Sequence, residues 1–459
     1  MRHITPLQSR VSYRTVLIFG GGGATALALS QLIERTPLEK TAKEVSSPTT
    51  QEPQPLDLQA ATAKLQEVES ILPATRVGDK ETPEHHIVRF ASNSPIEDDY
   101  VSTTAPGPGG KKWHFWGVFD GHAGWATSTH LRKTLVPTVS AALSALPADS
   151  TSPAITANIS TAFQDLDTAI LTAAEHAVRT TPSVTSAAVC ALAPAIAGSC
   201  ALLAMYDPTR SYLRVACVGD SRAVLGRYSS ASGTYTATPL SADQTGFNAL
   251  EVERIARAHP GERDLIDPAS GRLLGIAITR AFGDSRWKWP EGLVRESQER
   301  FWGYAPRPGA VTPPYMSAEP VVTETVVEGV GGERGDFIVL ASDGLWDHIS
   351  SEDAVECVGQ WVEARRRGKG KVADDPLRTD ERVDAHDDGF ALEQGKYVEW
   401  RATPEHFVVE DENAATHLVK NAFGGSRRGL FCAVMSAYPP ISRNVRDDVT
   451  VQVVFFGKV

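Results

Sequence analysis

Cysteine is scarce in this chain, with five in 459 residues, at positions 190, 200, 217, 357 and 432. Their number is odd and no CxxC spacing occurs, so neither a disulfide framework nor a structural zinc site is signalled, and a reducing compartment is the expected home. A basic surplus is also missing: 45 Lys and Arg face 56 Asp and Glu, for a formal charge of −11. That excludes broad binding to nucleic-acid backbones, which calls for a basic patch. There is no GxSxG and no cysteine in a phosphate-cradling loop, so chemistry through a serine or cysteine nucleophile finds no support. With 42% hydrophobic and 22% charged residues, the chain is not a disordered, collagenous or multi-span membrane protein. Its length gives a prior of about three domains at roughly 150 residues each. The surplus of carboxylates needs an explanation.

Acidic residues are missing from the first 33 positions, which carry Arg2, Arg10 and Arg14. An acid-free, arginine-bearing, Ser/Thr-containing start resembles a mitochondrial presequence, so residues 1–40 are read as a mitochondrial targeting segment, bound for the matrix or the intermembrane space. Within it, Thr15 to Ile33 forms 19 uncharged residues, just long enough to cross a bilayer. Gly20 to Gly23 weaken its hydrophobicity and helicity, and it stands as a candidate membrane anchor. Residues 41–56 are rich in Pro, Ser, Thr and Glu and read as a linker. Leu65, Val68 and Leu72 at helical spacing predict a docking helix within 57–72, so 41–84 is assigned to linker and helix.

From about residue 85, apolar runs repeatedly stop at an acidic residue beside glycine. WHFWGVF (113–119) meets Asp120-Gly121-His122, YLRVACV (212–218) meets Gly219-Asp220, DFIVLAS (336–342) meets Asp343-Gly344, and Asp447-Asp448 lead into VTVQVVFF (449–456). Such β-branched and aromatic runs bounded by turn residues predict strands. Any one Asp-Gly reads equally well as a hairpin turn. Four together, on strands apolar enough to be central, point to one shared rim, where crowded carboxylates without counter-charge would cost several kcal/mol each. A hard divalent cation, Mg2+ or Mn2+, suits such oxygen donors better than zinc or copper. Helical patterns occupy 124–145, the face Ile159, Phe163, Leu166 and Ile170, and 247–258. Trp113 and Trp116, at strand spacing, are assigned to the core. The expected class is α+β, with sheets packed on each other and helices outside.

These strings resemble the metal-dependent protein serine/threonine phosphatases of type 2C. The matching segments are NSPIEDD (93–99), GVFDGHAG (117–124), VGDSRAVLGR (218–227), LSADQ (240–244), TRAFGD (279–284), VLASDGLWD (339–347) and RDDVTV (446–451), in the family's order. ASNSPIED (91–98), TRAFGDSRWKWP (279–290), TPPYMSAEPVVT (312–323) and NAATHLVKNAFG (413–424) are similar to the mitochondrial branch, the pyruvate dehydrogenase phosphatases. The resemblance implies a central sandwich of two antiparallel sheets flanked by helices, over residues 85–459, with a dinuclear metal centre at one edge. It assigns Asp120 as the bridging carboxylate, Gly121 as a carbonyl donor and Glu97, Asp343 and Asp447 as further ligands. Asp220 and Asp347, with Asp343, would hold a weaker third ion, and Asp98 is counted with the metal group. His122 takes the place of the general acid, a role for which an imidazole, with an unperturbed pKa near 6.5, is suited.

Departures accompany the match. Asn93 stands where many relatives have an arginine that grips phosphate, as it does in the mitochondrial branch, and is the candidate substrate contact; Arg89, four residues away, does not inherit that role. Asp448 replaces a common asparagine, Gln244 a common histidine, and Asp99 a basic residue. Two insertions are expected. Residues 287–316 are long for a connection, and the resemblance to the mitochondrial branch implies an insertion that flanks the cleft and takes part in substrate selection. Residues 363–400 begin with Arg365, Arg366, Arg367, Lys369 and Lys371 and then turn acidic; they are read as a solvated loop, or else a docking site for an acidic partner. The expected activity is hydrolysis of phosphoserine or phosphothreonine on the E1 component of pyruvate dehydrogenase, with other mitochondrial phosphoproteins as the alternative. A pseudophosphatase would show lost ligands, and none is lost.

Overall fold

The computed structural model describes residues 55–459 except 78–79, 333, 369–391, 394–395 and 398–399. Helix α1 (Leu58–Gln66) and strands β1 (Glu69–Leu72) and β2 (Glu84–Phe90) precede β3 (Asp99–Pro106) and β4 (Lys112–Phe119). Helices α2 (Ala126–Ser144), α3 (Ser152–Thr180) and α4 (Ser186–Ile196) follow. Strands β5 (Ala201–Asp207), β6 (Tyr212–Val218), β7 (Arg222–Ser229) and β8 (Thr234–Pro239) lead to α5 (Ala249–Ala258), α6 (Ser285–Lys288) and α7 (Glu291–Arg300). Then come β9 (Val321–Val326), β10 (Phe337–Ala341), α8 (Asp343–Trp346), α9 (Ser351–Arg366), α10 (Ala414–Ala422), α11 (Arg428–Ser436) and β11 (Val449–Phe455).

The strands make two antiparallel sheets, one ordered β1-β2-β11-β10-β7-β8 and the other β9-β6-β5-β4-β3. Alternation along each strand explains their stacking. On β10, Ile338 and Leu340 enter the interior between the sheets, where they join Trp116, Val118, Leu202, Val215 and Val454. Phe337, Val339 and Ala341 face the opposite way, into a core with α1, α9, α10 and α11. On β4, Trp113, Phe115 and Phe119 meet α2, α3 and α4. Both sheets are thus buried on both faces, and truncating one of these aromatics costs about 3–5 kcal/mol.

Local signals fix the helices. In α3, Ile155, Ile159, Phe163, Leu166, Ile170 and Ala174 are buried, a stripe at three- and four-residue spacing. Helix α9 starts at Ser350, whose side chain accepts from Asp353 N, with Glu352 and Asp353 in its first turn and Arg365 and Arg366 in its last, so each terminal charge opposes the helix dipole.

Several expectations shift. The docking helix ends at Gln66; its Leu65 is buried, but Val68 and Leu72 are exposed, and Leu72 lies on β1, paired with β2. The insertion at 287–316 is partly helical, through α7. Residues 363–366 of the other insertion complete α9, while Lys369 and Lys371 lie outside the described residues, as does the targeting segment 1–40 with its candidate anchor. Among the described residues no helix is long and apolar enough to cross a membrane.

Candidate active site

Antiparallel pairing places the end of β4, the end of β6 and the start of β3 at one rim, together with the end of β10 and the start of β11. Asp120, Asp220, Asp343, Asp447 and Glu97 sit at those points. The Asp120 carboxyl is hydrogen-bonded to Asp343, and ligand atoms of Asp120, Asp220 and Cys200 lie within 4.8 Å of one another. Burial, and then the neighbouring Asp343, Asp98 and Asp220, push Asp120 well above the usual carboxylate range. Burial and Asp220 push Asp343 up to about 7, and burial leads the rise of Asp220 to about 6. Each charge is expensive because the others are close. Asp347 follows on the same helical face, its N–H donating to Asp343 O at 2.9 Å.

Glu97 is held from both sides. Gly124 N donates to its Oε1 at 2.6 Å, and Asn93 Nδ2 to its Oε2 at 3.3 Å. Gly121 is obligatory here, since a Cβ on it would stand 2.3 Å from Glu97 O. Asp98 lies one layer deeper, 1% exposed, its Oδ2 accepting from Ser342 Oγ at 2.8 Å. Asp447 Oδ1 accepts from Asp448 N at 2.6 Å and also meets the Arg443 guanidinium.

A three-stranded ribbon of two-residue strands aligns Gly121–His122 with Gly198–Ser199 and Phe282–Gly283. It delivers His122 Nε2 to 2.8 Å from Oδ2 of Asp284, which is 1% exposed and has φ 50°. A side chain at position 198 would abolish this contact, for a Cβ there falls 2.1 Å from His122 Nε2 and 2.4 Å from Asp284 Oδ2. Asp167 Oδ1 accepts from Gly283 N, and Lys288 Nζ ties Asp167 to Ala281 O, which fixes the turn. Burial pulls the His122 pKa down, yet the facing carboxylates of Asp284, Asp220 and Glu97 carry it above its usual value. No hydrogen bond among the described residues engages His122 Nδ1.

A rim of carboxylates with a histidine at its edge agrees with the family comparison: the protein phosphatase 2C model matches residues 85–384, well over half of the chain. The chain belongs to the protein phosphatase 2C family. It is 37% identical over 412 residues to a protein phosphatase 2C homolog of Schizosaccharomyces pombe, covering 88% of this chain and 86% of that one. It is 34% identical over 402 residues to mitochondrial pyruvate dehydrogenase (acetyl-transferring) phosphatase 1 of Saccharomyces cerevisiae, covering 81% and 68%. Phosphatase 2 of the same description from Homo sapiens is 34% identical over 278 residues, 57% of this chain and 48% of that one. As a protein phosphatase 2C, this chain is a metal-dependent serine/threonine phosphatase that acts on phosphoproteins.

The donor set fits the family's Mg2+ or Mn2+. It is made of hard oxygen donors whose mutual repulsion a divalent cation would relieve. The soft donor beside them, Cys200, has its thiol pushed far up by burial and donates to Asp220 Oδ1 at 3.2 Å, so it stands beside that carboxylate as a neutral thiol. Cys200 and Asp284 were not assigned from sequence. Asp284 closes the TRAFGD motif, but its partner lies 162 residues away in the sequence, and its φ of 50° is visible only in the fold.

The departures find local explanations. Asp448 is turned into the 92–97 loop, where Oδ1 accepts from Ser92 N, Ser92 Oγ and Asn93 N, and Oδ2 from Glu97 N. Arg89 grips Asp98 O with Nε and Nη2 and so braces the same loop from behind. Gln244 accepts from Gly219 N and donates to Cys217 O, which shapes the turn into Asp220. An open groove of about 800 Å3 leads away from the centre, lined by Asp220, Asp343, Asp347, Arg222, Arg272 and Phe247 among others.

Proposed function

We propose that this phosphatase works in mitochondria on the phosphorylated E1 component of pyruvate dehydrogenase. The reading is supported by relatives named as mitochondrial pyruvate dehydrogenase phosphatases. In our assignment Glu97, Asp120, Asp343 and Asp447, with the Gly121 carbonyl, would hold two Mg2+ or Mn2+ ions. Asp220 and Asp347 would join Asp343 in holding a third, weaker ion, and Asp98 stands behind the group. When bound, such ions supply charge neutralisation at the phosphoryl oxygens and an acidified water.

The chain's own residues do the rest. Phosphomonoester hydrolysis needs accelerations up to about 10²¹-fold, and the departing serine or threonine alkoxide is a poor leaving group unless it receives a proton. His122 has its Nε2 held by Asp284, so the imidazolium donates from Nδ1 as the bond to phosphorus breaks. Asn93 places its amide against Glu97, close enough to the ligand loop to meet a phosphoryl oxygen as a neutral donor. The observation that carries the mechanism is the convergence of Asp120, Asp220 and Asp343 beside the His122–Asp284 pair.

Purified protein should release phosphate from a phosphoserine peptide with Mg2+ or Mn2+, and lose that activity in EDTA or on Asp120→Ala or Asp343→Ala. Full turnover in both variants would falsify the mechanism. Faster dephosphorylation of phospho-E1 than of unrelated phosphoproteins supports the substrate, and equal rates refute it.

A further inference from the structure

Three arginines lie near one another beside the groove, and one of them, Arg272, lines it together with Asp220 and Asp343. Its Nη1 donates to Gly275 O at 3.3 Å. Arg307, from the insertion, lies on the other side of Gly275: a Cβ there would stand 3.0 Å from Arg307 Nη1. Its guanidinium stacks on Trp287, 4.6 Å from the ring centre. Arg286, two residues after Asp284, donates from Nε to Ala305 O at 2.5 Å and lies 5.6 Å from the rings of Trp287 and Tyr304.

These cations lack what surface arginines ordinarily have. Among the described residues none of the three forms an ion pair, and the buried Arg307 Nε has no hydrogen-bond partner. Burial, then Arg286 and Arg272, hold the Arg307 pKa below its usual value, against the pull of Asp284, whose Oδ2 already engages His122. Like charges gathered on a rigid aromatic platform are costly unless an anion joins them. Elsewhere the groove presents Asp220, Asp343 and Asp347, with Arg401 and the Arg222–Asp243 ion pair, so among the described residues no second group of cations without ion pairs competes for an anion there.

We propose that Arg272, Arg286 and Arg307 form an anion subsite that takes a carboxylate or phosphate group carried by the substrate polypeptide beside the target residue. The proposal rests on the phosphatase reading of the adjoining centre. A planar guanidinium suits either oxyanion through paired N–H donors, and stacking on Trp287 fixes its plane in advance.

The test uses three phosphopeptides of equal length with Mn2+: one phosphoserine with neutral flanks, one with Asp and Glu flanks, and one with a second phosphoserine. The wild-type protein should favour at least one anionic peptide by about tenfold in kcat/KM, mainly through KM. Preference for the Asp/Glu peptide identifies a carboxylate ligand, and preference confined to the doubly phosphorylated peptide identifies phosphate. Arg272→Gln and Arg307→Gln should each move the ratio towards one. Equal losses on all three peptides, as a scaffolding role on Trp287 would give, leave the ratio unchanged and overturn the subsite. Arg272 is exposed, so its variant carries the test if Arg307→Gln does not fold. An active wild type without any preference overturns the subsite alone, whereas a wild type inactive on every peptide overturns the phosphatase reading and the subsite together.

Discussion

His122 Nε2 and Asp284 Oδ2 lie 2.8 Å apart across a space that exists because residue 198 has no side chain. A buried carboxylate in that position fixes the ring and favours its protonated form. Asp284→Asn keeps the shape and removes the charge. Turnover of a phosphoserine peptide should fall about 10²-fold, within the range of general-acid contributions. An aryl phosphate, whose leaving group departs without a proton, should lose much less. Steady-state kinetics on both substrates decide the matter, and equal losses would show that Asp284 serves folding alone. Gly198→Ala should reproduce the selective loss by pushing the two groups apart.

Asp120, Asp220, Asp343 and Asp447 were legible in the sequence because each interrupts an apolar strand run, and a strand end has a defined place once the sheet forms. Asp284 and Gly198 were not, because the ribbon uniting them with His122 uses three two-residue strands, too short for any periodic signal. The helices α2 and α3 showed themselves by their apolar stripes, whereas α5 buries only Ile255 and Glu251. Val68 and Leu72 misled because one apolar pair fits a helix face and a strand edge alike. The meeting of Arg272, Arg286 and Arg307 depends on loop conformations that no local pattern encodes.

Crowding of Asp120, Asp220 and Asp343 sets a pH dependence on metal binding. Their folded pKa values are raised, to about 6 for Asp220 and about 7 for Asp343, so the cation-free fold retains protons that the unfolded chain has released. Stability from these groups is fully present below pH about 4, declines as the unfolded chain releases its protons, and is lost once pH has risen through the folded values of about 6 and about 7. A divalent cation must displace those protons, so its apparent affinity should rise from pH 6 to pH 8. Thermal unfolding with and without Mn2+ should show the larger stabilisation at pH 8, about 3 kcal/mol at a hundred times the dissociation constant. Asp343→Asn should flatten the dependence, and a stabilisation independent of pH would contradict the assignment.

Asp448 makes a further prediction that runs against the family's preference for asparagine. Its Oδ1 takes three donors from Ser92 and Asn93, and its Oδ2 takes Glu97 N at 2.7 Å. In Asp448→Asn, one orientation of the amide sets its NH2 against Glu97 N–H and the other against Ser92 and Asn93. Either leaves a buried donor unpaired, at about 1–3 kcal/mol. Chemical denaturation should register that loss, and metal titration should show weaker binding because Glu97 is carried by the same loop. A variant as stable as the wild type would mean the loop is held by Arg89 and Ser442 instead, through Asp98 O and Ser92 O.

Away from the centre, His417 is one of several buried histidines expected to link stability to pH. It is fully buried between Cys357, whose Sγ and O lie 3.2 and 3.1 Å from Nε2, and Asn421, whose Nδ2 lies 3.2 Å from Nδ1. Burial lowers its pKa to about 4, so the unfolded chain takes up a proton near pH 6.5 that the fold refuses. The resulting stability is complete above pH 6.5 and drains away as pH falls to about 4, for a total of about 3 kcal/mol. His85, lowered to about 3, and His348, lowered to about 4, act in the same direction. In His417→Gln the difference in unfolding free energy from wild type should therefore shrink between pH 6.5 and pH 4, by about 1.4 kcal/mol per pH unit at most. Urea unfolding across that interval measures it. A difference constant with pH would show that His417 keeps its proton equilibrium on folding and that acid lability arises elsewhere.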